Sequence, residues 1–116
     1  MQIQLNTDDH VQGADSLAAW AERELKDKLA RFRDHITRVE VHLSDLNASR
    51  VGTDDKRCKL EARLAGRQPV TVSHDAGKVA DALHGATARL IRALENDLGR
   101  VRDARGRDSI RGEQAG

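Results

Sequence analysis

Hydrophobic positions along this chain change their spacing in a fixed order. A two-residue alternation comes first, then a stripe recurring every three or four residues, then three more alternating segments, then a second and longer stripe. Side chains face opposite sides of a sheet with period 2 and return to one helix face with period 3.6, so the order reads β-α-β-β-β-α. Two amphipathic helices and one half-wet sheet can bury their apolar sides only against each other. The predicted fold class is therefore α+β: two layers, a four-stranded mixed sheet with both helices on one face.

Ile3 and Leu5 alternate with Gln2, Gln4 and Asn6 in the first strand. Thr7 to Ala14 reads as a loop with Gly13 free to turn, and Asp15 or Ser16 as the cap of the next helix. Leu17, Ala21, Leu25, Leu29 and Phe32, with Trp20 beside them, predict that helix from about residue 16 to 33. Lys28 falls at its apolar margin, with its stem buried and its amine in water. Val39, Val41 and Leu43 form the second strand, and the polar run Asp45 to Asp55 a hairpin connection. Cys58, Leu60, Ala62 and Leu64 form the third strand, and Gly66 to Gln68 a turn. Val70 and Val72 form a short fourth strand behind Pro69, where no N–H is needed. Asp75 reads as an N-cap, and Val79, Leu83, Ala86, Leu90, Leu94, Leu98 and Val101 as a helix from about residue 76 to 102. The expected organisation is one domain over 1–101 and a flexible, Arg-rich tail over 102–116. A strand–helix–strand crossover makes the first two strands parallel, and the short links make the rest antiparallel.

Composition narrows the chemistry. With one Phe, one Trp and no Tyr, the core must be built from Leu, Val, Ile and Ala. Charged residues make up 34% of the chain but balance, 20 Lys+Arg against 19 Asp+Glu, a net charge of +1. A binder of any polyanion would be basic overall, so a nucleic-acid role here needs a local patch. The lone Cys58 excludes an internal disulfide and a zinc site of the CxxC kind, and fits a reducing compartment. With no run of about 18 apolar residues and no leader-like start, the expected setting is cytoplasmic, without a membrane partner.

Helical counting puts Arg23, Lys26 and Arg33 opposite the core stripe of the first helix. Lys78, Arg89, Arg92 and Arg100 share an outward stripe on the second, interrupted by Asp81, Gly85, Asn96 and Asp103. Two helices side by side on a sheet would bring these rows to one outer surface, where they could grip phosphates without reading bases. A solvated helix face carries the same pattern, and the interruptions fit that alternative. His10, His35, His42, His74 and His84 show no metal-ligand spacing, so no metal is expected. Cys58, at an inward strand position, reads as a small buried hydrophobe. No glycine-rich loop joins a strand to a helix, and no carboxylate falls at an apolar position where burial would tune it for acid–base work. Nothing supports an enzyme, a cofactor or a small-molecule substrate. Trp20 and Phe32 are assigned to the core, which leaves structured RNA read through shape and backbone.

The opening Met1-Gln2-Ile3-Gln4-Leu5, the stretch from Lys28-Leu29-Ala30-Arg31-Phe32 to Val39, and the run from Lys78 to Leu98 carry a resemblance. In the last, Val79-Ala80-Asp81-Ala82-Leu83 precedes Arg89-Leu90-Ile91-Arg92-Ala93-Leu94. Over about residues 1 to 100 the chain resembles the ribosome hibernation promoting factor family, also called ribosome-associated inhibitor A or ribosomal subunit interface proteins. The resemblance implies a fold akin to double-stranded-RNA-binding domains. It also implies a non-catalytic factor on the small ribosomal subunit, in the tRNA and mRNA channel of 16S rRNA, that inhibits translation and stabilises idle ribosomes under stress. Lys28, Arg31, Arg89 and Arg92 match the family's basic helix positions, with Lys78 and Arg100 as neighbours. Long members carry an extra C-terminal domain, and this chain resembles the short form. It departs at Glu95-Asn96-Asp97, where the family's last helix is usually lysine-rich. Affinity scales with neutralised phosphates, so the departure implies a weaker hold or use of the Arg-rich tail. The alternative function is a protein–protein interaction module that keeps the fold with weakened rRNA binding.

Overall fold

A computed structural model of the chain describes residues 1–7, 14–45 and 56–109, with side chains for 1–7, 16–45 and 56–98. The element order is β1 (Gln2–Thr7), α1 (Ala14–Lys28), one 3₁₀ turn (Ala30–Phe32), β2 (Ile36–Asp45), β3 (Lys56–Leu64), β4 (Val70–Ala76) and α2 (Val79–Ser109). The four strands form one sheet in the order β1-β2-β3-β4, as the alternation predicts. β1 runs parallel to β2, and β2, β3 and β4 are antiparallel. Both helices cover one face: α2 packs on β4 and β3, and α1 on β1.

Register shows why these side chains meet. Val39, Val41 and Leu43 stand opposite Ala62, Leu60 and Cys58, so each apolar row of β2 faces an apolar row of β3. All six are at most 3% exposed. Leu25 of α1, Leu29 just after it, and Leu83, Leu90 and Leu94 of α2 close the core from above, all fully buried. Each such side chain contributes about 1.5–3 kcal/mol relative to exposure. Ile36 and Val39 both face inward although they lie three positions apart. The pairing shifts between Ile36 and Arg38, a bulge at Thr37 that re-phases the strand, and the Thr37 hydroxyl donates to the Arg63 carbonyl at 3.0 Å.

Several expected boundaries move. The first helix stops at Lys28 rather than near 33, and Phe32 reaches the core from the 3₁₀ turn that follows. Leu29 can still be buried because the Leu29 N–H bonds to the Leu25 carbonyl before the chain tightens. The helix begins at Ala14, so Asp15 and Ser16 lie inside it rather than capping it. Asp75 caps nothing: β4 continues to Ala76, and Asp75 stands opposite Arg57 as a strand residue. α2 starts at Val79 and runs on to Ser109, so the expected flexible tail from Arg102 is helical over 102–109. An established helix adds residues without a new nucleus, and that outweighs the missing apolar period. Most of the 7–14 loop, most of the 45–55 connection and residues 110–116 lie outside the described residues.

Candidate nucleic-acid interface

Of the nine cations singled out by sequence, eight have described side chains, and all eight are exposed: Arg23, Lys26, Lys28, Arg31, Arg33, Lys78, Arg89 and Arg92. Arg100 lies in α2 among residues described by backbone alone. The folded chain does not leave these cations equally free. Lys26 pairs with Glu22 one turn earlier at 2.8 Å, an exposed contact of about 0.3–0.5 kcal/mol. Arg31 is ion-paired with Glu95 of α2, and its guanidinium lies 4.7 Å above the Phe32 ring. Arg89 turns toward the sheet edge and donates from Nη1 to the Ser73 carbonyl of β4 at 3.0 Å. Arg23, Lys28, Arg33, Lys78 and Arg92 pair with no acid among the described residues.

The two basic rows therefore do not merge into one unbroken strip. Between the helices lies a groove lined by Glu24 and Lys28 of α1 and His84, Thr87, Ala88 and Ile91 of α2. Trp20, one turn before Glu24, stands edge-on to His84 with ring centroids 5.6 Å apart. Trp20, expected in the core stripe, is half-buried and packs against the core, with its ring edge on His84. Steps of four residues carry Trp20, Glu24 and Lys28 along one side of α1, so a single helical line faces α2. His84 is not isolated: its Nε2 lies 3.6 Å from Glu24 Oε1. Arg89 sits on the other flank of α2, over β4, and Gly85 also faces the sheet. A Cβ at Gly85 would stand 2.0 Å from His74 Cδ2.

The uncovered face of the sheet is polar throughout, as the alternation predicts, but its pairing was not legible. Glu40 is approached by Arg38 at 2.7 Å and Arg63 at 3.3 Å, with His42 at 3.6 Å. Burial alone would raise the Glu40 carboxyl, but Arg38, Arg63 and His42 together hold it below its ordinary 4.5. Arg57 grips Asp75 through two hydrogen bonds, at 2.8 and 3.0 Å, and these hold the Asp75 carboxyl low against its partial burial. Ligand atoms of Glu40, His42 and Glu61 lie within 4.8 Å of one another, a cluster that sequence spacing missed because it spans two strands. Arg38 and Arg63 already occupy Glu40, and Arg63 also lies 3.7 Å from Glu61. A cation would have to displace both guanidiniums, so the cluster is an ion-pair network. Cys58 is fully buried opposite His74, and burial pushes its thiol up to about 12. It is protonated near neutrality and a poor nucleophile. Glu40 and Asp75 are both shifted down, the wrong direction for a general acid.

Residues 5–105 match the family model described as sigma 54 modulation protein / S30EA ribosomal protein. Among solved structures, the Protein Y N-terminal domain of Thermus thermophilus is similar at 21% identity, covering 83% of this chain and 98% of that one, with a TM-score of 0.65. A ribosomal subunit interface protein from Coxiella burnetii is similar at 18% identity, covering 85% of this chain and 99% of that one, with a TM-score of 0.59. At these identities the two structures speak for the fold. No match was found among curated proteins.

Proposed function

Because this chain belongs to the sigma 54 modulation protein / S30EA ribosomal protein family, a non-catalytic family, we propose that it acts by occupying the small ribosomal subunit. In this reading it binds 16S rRNA in the tRNA and mRNA channel, inhibits translation and stabilises idle ribosomes under stress, in the cytoplasm. The family match over residues 5–105 carries the proposal. The fold supports it, since two helices share one face and leave Arg23, Lys28, Arg33, Lys78 and Arg92 exposed without acidic partners among the described residues. No helix among the described residues is long and apolar enough to cross a membrane.

In this reading the cations differ in what each must give up to hold a phosphate. Arg92 has no competing partner among the described residues, whereas Arg31 must leave Glu95 and Arg89 must leave Ser73 before either can hold a phosphate. Arg23, Lys28, Arg33, Lys78 and Arg92 are therefore the principal phosphate contacts, with Lys26 at the margin and Arg100 further along α2. Sedimentation of stationary-phase lysate through a sucrose gradient tests the role. The protein should travel with small subunits or whole ribosomes at low salt, and its absence from those fractions would defeat the proposal.

One observation favours the second reading, a protein-binding module with weakened rRNA grip. Glu95 and Asp97, placed where lysines would strengthen RNA binding, instead hold Arg31 and Arg67 in ion pairs. Arg92→Glu separates the readings, because ribosome binding should collapse under the first and partner binding should persist under the second.

A further inference from the structure

We propose that the groove between α1 and α2 is a slot for one unstacked base of single-stranded RNA, with guanine preferred. The proposal rests on the RNA-facing role above and gives that surface a base-reading element. The groove encloses about 260 Å³. That is just below the roughly 300–1,000 Å³ of sites for drug-sized ligands, and suits one planar heterocycle.

Its walls fit a base better than a phosphate. Ile91 and Ala88 supply apolar surface, and the Thr87 hydroxyl donates to the Leu83 carbonyl at 2.7 Å, so its proton is already used within α2. His84 supplies aromatic surface at one end, and Trp20 braces it edge-on from behind. Stacking of this kind accepts any base. The choice among bases falls to Glu24, the one acid lining the groove. A carboxylate repels a phosphate, and only a base edge with N–H donors makes it attractive. Guanine presents two adjacent donors, N1–H and the exocyclic amine, which match the two carboxylate oxygens. Uracil presents one N–H between two carbonyl oxygens, and those oxygens face the carboxylate unfavourably. Adenine and cytosine offer one amine each beside a ring acceptor. Lys28 stands exposed on the same wall, where it can neutralise the phosphate of the inserted nucleotide.

The test uses the full chain and two RNA pentamers, r(UUGUU) and r(UUUUU). Trp20, the only tryptophan, gives one indole N–H signal, and its contact with the His84 ring makes that signal report on the slot. The guanine pentamer should shift this signal and bind about tenfold more tightly, within what one bidentate base contact discriminates. Glu24→Gln should bring the two pentamers close to parity. Ala88→Leu, at an exposed helix position, should fill the slot and abolish the Trp20 shift while the circular dichroism spectrum stays unchanged. Equal affinity for the two pentamers, a guanine preference that survives both variants, or a motionless Trp20 signal overturns the slot. Sedimentation of wild type and Ala88→Leu with small subunits tests the broader role separately. Wild type that fails to co-sediment defeats that role, and wild type that co-sediments without discriminating the pentamers defeats the slot alone.

Discussion

Replacing Gly85 with alanine sets two effects against each other at one position. Alanine in place of glycine inside a helix stabilises by about 1 kcal/mol, since the unfolded chain loses less freedom. Against this, the new Cβ would stand 2.0 Å from His74 Cδ2, 2.4 Å from Nε2 and 2.5 Å from Cγ. Comfortable carbon contacts begin near 3.5 Å, so the ring would have to retreat by roughly 1.5 Å. Cγ is joined directly to the His74 Cβ, so turning the ring about its own axis does not clear the contact. Such overpacking costs about 1–3 kcal/mol, leaving Gly85→Ala neutral to destabilising by about 2 kcal/mol. In a His74→Ala background the obstacle is gone, and the same substitution should stabilise by about 1 kcal/mol. The coupling between the sites is then about 1–3 kcal/mol. Urea unfolding of the four proteins of this cycle, followed by far-UV circular dichroism, measures it. Equal effects of Gly85→Ala in both backgrounds would mean that α2 does not seat Gly85 on the His74 ring.

Leu90→Ala empties a fully buried site between α2 and the sheet. It should cost about 2–5 kcal/mol, a large part of a typical domain's 5–15 kcal/mol, read as a fall in the urea midpoint. Arg92→Glu should weaken rRNA binding and lower the slope of log affinity against log salt by about 1, with little change in thermal midpoint. Cys58 is protonated in the folded state up to about 12, whereas the unfolded thiol ionises from 9.0. The unfolded state then holds fewer protons, so this contribution is complete below pH 9 and is lost as pH rises toward 12. Urea midpoints across that range should fall less for Cys58→Ala than for wild type. At pH 8 a thiol reagent should label Cys58 only after unfolding.

How far each feature was legible follows from whether it is local. The alternation of Val39, Val41 and Leu43, and of Cys58, Leu60, Ala62 and Leu64, is written in neighbouring residues. So are the stripes through Leu25 and Leu29 and through Leu83, Leu90 and Leu94. These periods were enough for the element order, the mixed sheet, the buried face and the wet face, because burying apolar surface is what selects the fold. Boundaries were less secure, since caps and first turns are decided by a few tenths of a kcal/mol that packing overrides. Asp75 illustrates this. In sequence it is a ready helix cap, but across the sheet it faces Arg57, and two charge-assisted hydrogen bonds keep it in the strand.

The candidate interface divides in the same way. That Arg23 and Arg92 would be exposed follows from helical period alone, because one helix suffices to place each of them, whereas Arg33 and Lys78 were counted on helices that stop short of them. Which cations stay free required the neighbouring element. Glu95 reaches Arg31 from 64 residues away in sequence, and Ser73 takes Arg89 by its backbone carbonyl, an acceptor that every residue type carries equally. The groove of Glu24, Lys28 and His84, like the ring of arginines around Glu40, exists only where two elements meet. Periodicity tells each helix or strand which side to bury, but only the packed tertiary structure decides what each polar side chain finds opposite it.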